Sequence, residues 1–85
     1  MKTFQYTIKD PVGIHARPAG LLAKKAKEFA SEITIQKDEK SARATKLIAI
    51  MGLCIKSGDT VTVCISGADE NVAADAMEDF FRENL

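Results

Sequence analysis

The 85-residue sequence has no tryptophan, a single histidine, two cysteines and two prolines, and its formal net charge is zero. Lys plus Arg and Asp plus Glu number twelve each, so no overall field favours nucleic acid or an anionic membrane. No stretch approaches the ~18 consecutive apolar residues of a membrane-spanning helix, and the start at residues 1–4 lacks an apolar signal segment. We therefore expect a cytoplasmic protein that binds neither nucleic acid nor membrane.

The two cysteines, Cys54 and Cys64, are too few for a disulfide framework and lack the spacing of a metal site. With only one histidine present, a zinc site built from His and Cys is also disfavoured. We expect no metal and two reduced thiols in or near the core.

The chain is long enough for one small domain spanning residues 1–85, with a hydrophobic content of 46%. A chain of this size buries somewhat more than ~60% of its unfolded surface, enough for a core without metal or disulfides. There are no repeats, linkers or low-complexity segments.

Hydrophobic periodicity predicts the element order β-α-β-β-α-β-α. Strands are expected over 3–8, 33–36, 40–43 and 60–66, a first helix over about 17–30, a short helix for which Thr45 could be the cap, and a last helix from a cap at Asp69 to near Asn84. This order suits an α+β open-faced sandwich, in which three helices cover one face of a four-stranded antiparallel sheet.

Each predicted helix has a recognisable apolar face. The inward faces are expected to comprise Ala19, Leu22, Ala23, Ala26, Phe29 and Ala30 in the first helix, Ile50, Leu53 and Cys54 in the second, and Ala73, Ala76, Met77 and Phe80 in the last. Leu47, Ile48 and Met51 lie on an adjacent side of the second helix, where periodicity alone fits either burial or an exposed patch for a partner.

The outward stripe of the first helix contains Arg17, Gly20, Leu21, Lys24, Lys27 and Glu28. Its exposed Leu and Gly among cations suit a docking surface for an acidic partner. Composition alone favours a solvated lysine face over a docking surface.

The only histidine lies within Gly13-Ile14-His15-Ala16-Arg17-Pro18-Ala19-Gly20. Proline is tolerated in the first turn of a helix, so His15 should lie beside a helix start, where unpaired N–H groups and the helix dipole favour phosphate. A neutral imidazole there has a ring nitrogen able to attack phosphorus, and Arg17 adds donors suited to phosphate oxygens. Because Pro18 has no N–H, backbone donors must come from neighbours such as Ala16. The alternative is an ordinary exposed loop histidine.

Three sequence blocks carry a resemblance over essentially the full length. They are Gly13-Ile14-His15-Ala16-Arg17-Pro18-Ala19, Ile50-Met51-Gly52-Leu53 and Ser66-Gly67-Ala68-Asp69-Glu70. The chain resembles the HPr family, the histidine-containing phosphocarrier proteins of the bacterial sugar phosphotransferase system.

The resemblance implies that His15 accepts a phosphoryl group on Nδ1 from phosphorylated enzyme I and passes it to a histidine of a sugar-specific IIA domain. Arg17 matches the family arginine that steadies the phosphoryl group. The positions matching the family's docking surface are Gly20, Leu21, Lys24, Lys27, Leu47, Ile48 and Met51. No metal or other cofactor is implied, and a monomer is expected because a transient carrier must leave one face free.

One position departs from the family pattern. Many Gram-positive members open the middle helix with a serine that a regulatory kinase phosphorylates, and Lys46 stands at the matching position here. We therefore expect no kinase control there. A regulatory HPr-like module that acts by binding is the alternative function, and a stand-alone acyl phosphatase is disfavoured because no second acid or base is evident.

Overall fold

The computed structural model describes residues 1–85 and contains one sheet and three helices. In chain order these are β1 (Lys2–Thr7), α1 (Ala16–Ala26), β2 (Glu32–Lys37), β3 (Lys40–Arg43), α2 (Leu47–Gly52), β4 (Thr60–Ser66) and α3 (Glu70–Asn84). This is the predicted order, and the bounds predicted for β3 and β4 are confirmed. No helix is long and apolar enough to cross a membrane.

The sheet is antiparallel throughout, with the strand order β1-β4-β2-β3. Alternation places Val61, Val63 and Ile65 of β4 on the helical side, where all three are fully buried. The register sets Phe4 and Ile35 on either side of Val63, which continues the apolar layer across neighbouring strands. The predicted open-faced α+β sandwich is therefore confirmed, with threonines and Cys64 of β4 on the uncovered side.

The last helix closes the core through Phe81. Its ring lies edge-on to Phe4 and Tyr6 of β1, with centroid separations of 5.8 and 5.6 Å. Such edge-to-face pairs add to the hydrophobic burial of the rings. The prediction for this helix face was partly wrong, because Phe81 and Ala74 are buried while Phe80 and Ala76 are only half-buried.

Helix α1 begins one residue earlier than predicted and ends four residues earlier. After Ala26 the N–H groups of Glu28 and Phe29 bond three residues back, which tightens and ends the helix. The next N–H groups, of Ala30 and Ser31, donate to the Asp69 carboxylate at 2.9 Å. Ala30, predicted to be inward, is consequently exposed.

The cap residue predicted for α2 was wrong, whereas the one predicted for α3 is confirmed in position. Lys46, rather than Thr45, is the N-cap of α2, and its carbonyl accepts the Ile50 N–H. Asp69 is the N-cap residue of α3, but its carboxylate binds Ser31 and the main chain of Ala30 instead of its own helix. The inward position predicted for Cys54 beside Ile50 and Leu53 was also wrong. Its left-handed backbone, with φ of 53°, turns it outward, and the residue is exposed.

Candidate functional site

His15 is the N-cap residue of α1, with extended backbone angles and an exposed side chain that makes no capping hydrogen bond. The first helical bond runs from the Ala19 N–H to the His15 carbonyl at 2.9 Å. The N–H groups of Ala16 and Arg17 precede that bond and have no partner within the helix. A ring with free nitrogens therefore lies beside two unpaired donors and the positive end of the helix dipole.

The loop before His15 is fixed by the segment that follows α2. Ile14 donates its N–H to the Ile55 carbonyl at 3.0 Å, and the Gly13 N–H bonds Asp10 at 3.0 Å. Gly13 has φ of 81°, and a Cβ there would lie 2.5 Å from the Ile55 oxygen. Only glycine fits this close approach, so the main chain entering His15 is held in one path.

A surface cavity of about 210 Å³ opens beside His15. Arg17 lines this cavity together with His15, and Pro18 and Leu21 contribute apolar wall. The full lining is Asp10, His15, Arg17, Pro18, Leu21 and Asn84. Sequence reasoning missed Asp10 and Asn84, because Asn84 is remote in sequence and no local pattern links the end of α3 to the loop.

The end of α3 is tied to that loop by main-chain bonds. A main-chain oxygen of Leu85 accepts the N–H groups of Lys9 and Asp10, at 2.6 and 2.8 Å, and the Leu85 side chain is buried. These contacts place Asn84, the last residue of α3, at the wall of the His15 cavity.

A larger groove of about 550 Å³ separates α1 from α2. It brings together five of the predicted docking positions, and the complete lining is Gly20, Ala23, Lys24, Lys27, Thr45, Lys46, Leu47 and Ile48. Met51 is exposed but lines neither this groove nor the His15 cavity, and Leu21 lines only the latter. Ile48 is 79% exposed and Leu47 and Met51 are also exposed, so this side of α2 is a surface patch, while Ile50 and Leu53 on the adjacent side belong to the core.

The groove carries positive charge without a matching carboxylate. Lys24, Lys27 and Lys46 line it, none of them forms an ion pair, and no acidic residue contributes to its wall. The neighbouring Lys25, by contrast, pairs with Glu28 at 3.5 Å. A protein of zero net charge thus presents a local cationic groove whose lining also includes the exposed apolar residues Leu47 and Ile48.

The three carboxylates with lowered pKa lie outside the His15 cavity. The Ser31 hydroxyl, followed by the Ala30 N–H, holds the pKa of Asp69 below 3.8. The Lys56 N–H and the Lys37 ammonium lower the pKa of Asp59, and the Met1 amino group lowers that of Glu70. Nowhere do three or more His, Cys, Asp or Glu side chains gather to hold a metal ion.

Comparison with known proteins identifies the family. The model of the family described as the PTS HPr component phosphorylation site matches residues 2–83. The chain belongs to the HPr family. It is 43% identical over 83 residues to the phosphocarrier protein HPr of Lysinibacillus sphaericus, covering 98% of this chain and 94% of that protein. It is also 39% identical over 79 residues to the HPr-like protein Crh of Halalkalibacterium halodurans, covering 93% and 94% of the two chains.

Solved HPr structures share the fold. The crystal structure of HPr from Thermoanaerobacter tengcongensis is 36% identical, covers 96% of this chain and 92% of its own, and superposes with a TM-score of 0.91. HPr of the same organism has also been solved as a dimer, with a TM-score of 0.77, covering 98% and 95% of the two chains.

Proposed function

We propose that the protein is a phosphocarrier of the phosphotransferase system, with His15 accepting a phosphoryl group from phospho-enzyme I and passing it to a IIA domain. The observation that carries the proposal is the place of His15. Its ring is exposed and unbonded at the start of α1, beside the unpaired N–H groups and Arg17. Family membership supports the same chemistry, and the protein is proposed to work in the cytoplasm as a monomer.

The proposed transfer is an in-line exchange between two imidazoles. Nδ1 of His15 forms a bond to phosphorus while the bond from phosphorus to the enzyme I histidine breaks, and the leaving nitrogen keeps that electron pair. The Ala16 and Arg17 N–H groups and the Arg17 guanidinium then stabilise the transferred oxygens. The carrier supplies mainly position and charge, which account for most of the catalysis in phosphoryl transfer.

Docking is assigned to the surface that runs from Leu21 to the α1–α2 groove. The three unpaired lysines attract an acidic partner, and the exposed Leu47, Ile48 and Met51 provide apolar contact area. Gly20 has open space around its Cα, so a partner side chain can approach the helix closely there.

The decisive test is incubation with phosphoenolpyruvate, magnesium and a bacterial enzyme I, followed by intact mass at neutral pH. One added phosphoryl group is expected, and brief acid treatment should remove it because the phosphorus–nitrogen bond is acid-labile. His15→Ala should gain none, while Arg17→Ala should gain it more slowly.

Lys40→Ala is the matched control for loss of a cation, since Lys40 lies on the β2–β3 hairpin outside the site. Full phosphorylation of the His15→Ala variant, or none of the unmodified protein by several enzyme I proteins, would overturn the proposal.

A regulatory module acting by binding is the second candidate, favoured by the similarity to Crh. Lys46 argues against control by serine phosphorylation, because an amine takes the place of the family serine at the start of α2. After incubation with a regulatory HPr kinase and ATP, we expect no phosphoserine or phosphothreonine within residues 41–46. Modification of Thr45 or Ser41 in a peptide digest would restore the regulatory candidate. Lys46→Ser should become a substrate and thereby shows that the kinase is active.

A further inference from the structure

The charge balance of the His15 cavity is unusual for a site that must hold a phosphoryl group. Arg17 is the only permanently cationic side chain among its six lining residues, and Asp10 contributes a carboxylate. Arg82, in the last turn of α3, is engaged with Glu78 and Asp79 and does not line the cavity. The carboxyl end of α3 adds partial negative charge from its final carbonyls. Neutral hydrogen-bond donors must therefore provide part of the stabilisation of the phosphoryl group.

Asn84 is the one residue with a side-chain amide among the six that line this cavity. Its Nδ2 donates to the Phe80 carbonyl at 3.0 Å, which satisfies one carbonyl at the end of α3. An asparagine amide carries two N–H donors, and the structure uses only one of them. The bonds from Lys9 and Asp10 to Leu85 hold the neighbouring main chain and keep residue 84 at the cavity wall.

We propose that Asn84 is a further residue of the phosphoryl site, where its second Nδ2–H binds an oxygen of the phosphoryl group on His15. The inference rests on the proposed carrier function and adds a group from the opposite end of the chain. Asn84 is a neutral donor that offsets the Asp10 carboxylate without adding charge. It stabilises the phosphorylated form more than the free form, because only the former has an acceptor for that N–H.

The test is the equilibrium of phosphoryl exchange between enzyme I and the purified carrier. Known amounts of phospho-enzyme I and carrier are mixed, and the phosphorylated fraction of each is read by intact mass at neutral pH until it is constant. This equilibrium depends only on the stabilities of the free species. A change in docking therefore alters the rate at which equilibrium is reached (the approach rate) and leaves the equilibrium phosphorylated fractions (the end point) unchanged. Asn84→Ala should shift the end point about tenfold toward phospho-enzyme I, as expected for loss of one hydrogen bond to a charged group.

Two substitutions sharpen this experiment. Asn84→Asp keeps the shape of the side chain but loses the donor and adds a charge, so its shift should exceed that of Asn84→Ala. Asn84→Gln retains an amide and should recover part of the equilibrium. Glu83→Gln is the matched control, since Glu83 is exposed, adjacent in sequence and absent from the cavity wall.

The outcomes separate cleanly. If the unmodified protein accepts a phosphoryl group, but Asn84→Ala and Asn84→Asp have the same equilibrium phosphorylated fraction as the unmodified protein, the assignment of Asn84 is wrong while the carrier function stands. If only the approach rate changes, Asn84 acts in docking and the assignment is also wrong. If the unmodified protein accepts nothing, the carrier function itself fails. Equal thermal midpoints for Asn84→Ala and Glu83→Gln exclude a general loss of folding.

Discussion

Cys54 directly follows Leu53, the C-cap of α2, and has φ of 53°. Glycine is the usual residue at this position, because a Cβ in the left-handed region costs about 1 kcal/mol or more. The thiol is exposed, and the contact from Lys37 reaches the Cys54 carbonyl rather than the side chain. Cys54→Gly should therefore raise the free energy of unfolding by about 0.5–1 kcal/mol, seen as a higher urea midpoint.

Two variants test the cause of that gain. Cys54→Ser removes the thiol but keeps the Cβ, so its midpoint should stay close to that of the parent. Ala49→Gly places glycine at an exposed position inside α2, where it should lower the free energy of unfolding by about 1 kcal/mol. Equal gains in Cys54→Gly and Cys54→Ser would show that the thiol, not the backbone, is responsible.

The joint between the end of α1 and the start of α3 depends on a carboxylate. Asp69 accepts the N–H groups of Ala30 and Ser31 and the Ser31 hydroxyl, and these bonds lower its pKa in the folded protein. A lowered folded-state pKa means that the stabilisation is present above 3.8 and is lost as pH falls through the folded value. Asp69→Asn should lower the thermal midpoint at pH 7, and its difference from the parent should shrink below about pH 4.

Asp75→Asn is the control for this comparison, because Asp75 is an exposed aspartate on α3 that forms no ion pair. The pKa values of Glu70 and Asp59 are lowered too, so the informative quantity is the difference between variant and parent curves. A difference that is constant from pH 7 to pH 3 would mean that the Asp69 charge contributes nothing to the joint.

The same joint shows which features of the helices and strands local sequence patterns predict and which they do not. Period-two alternation places Val61, Val63 and Ile65 correctly, because strand faces depend on local order alone. The end of α1 depends on Asp69, which is 39 residues from Ala30 and captures main-chain donors that no local pattern reveals. Adjacent Phe80 and Phe81 both fit a helical stripe, and only packing against β1 selects Phe81. The sequence motif predicts His15 as the site residue, whereas no local pattern predicts that Asn84 lines the same cavity, because the fold brings it there from the end of the chain.

The protein as a whole has zero net charge, but its positive and negative side chains are unevenly distributed over the surface. The groove lysines have no carboxylate neighbour in the groove wall. Under the proposed function, the rate of phosphoryl transfer from enzyme I should therefore fall as salt rises, although the net charge is zero. Lys24→Ala should reduce kcat/KM about threefold at low salt and flatten its salt dependence. Lys40→Ala removes the same charge from the β2–β3 hairpin and should leave both unchanged. Equal effects of the two variants would assign the salt dependence to overall charge.

The groove and the His15 cavity draw on consecutive turns of α1, from Arg17 to Lys27, in a molecule only 33 Å long. Under the proposed function, the phosphoryl donor and the phosphoryl acceptor must therefore bind to the same surface one after the other. Each bound partner prevents the other from binding until it dissociates. The rate of phosphoryl transfer through the carrier is therefore limited by dissociation as much as by association. A more stable complex with either partner would dissociate more slowly and would therefore slow transfer, so short-lived binding suits this surface.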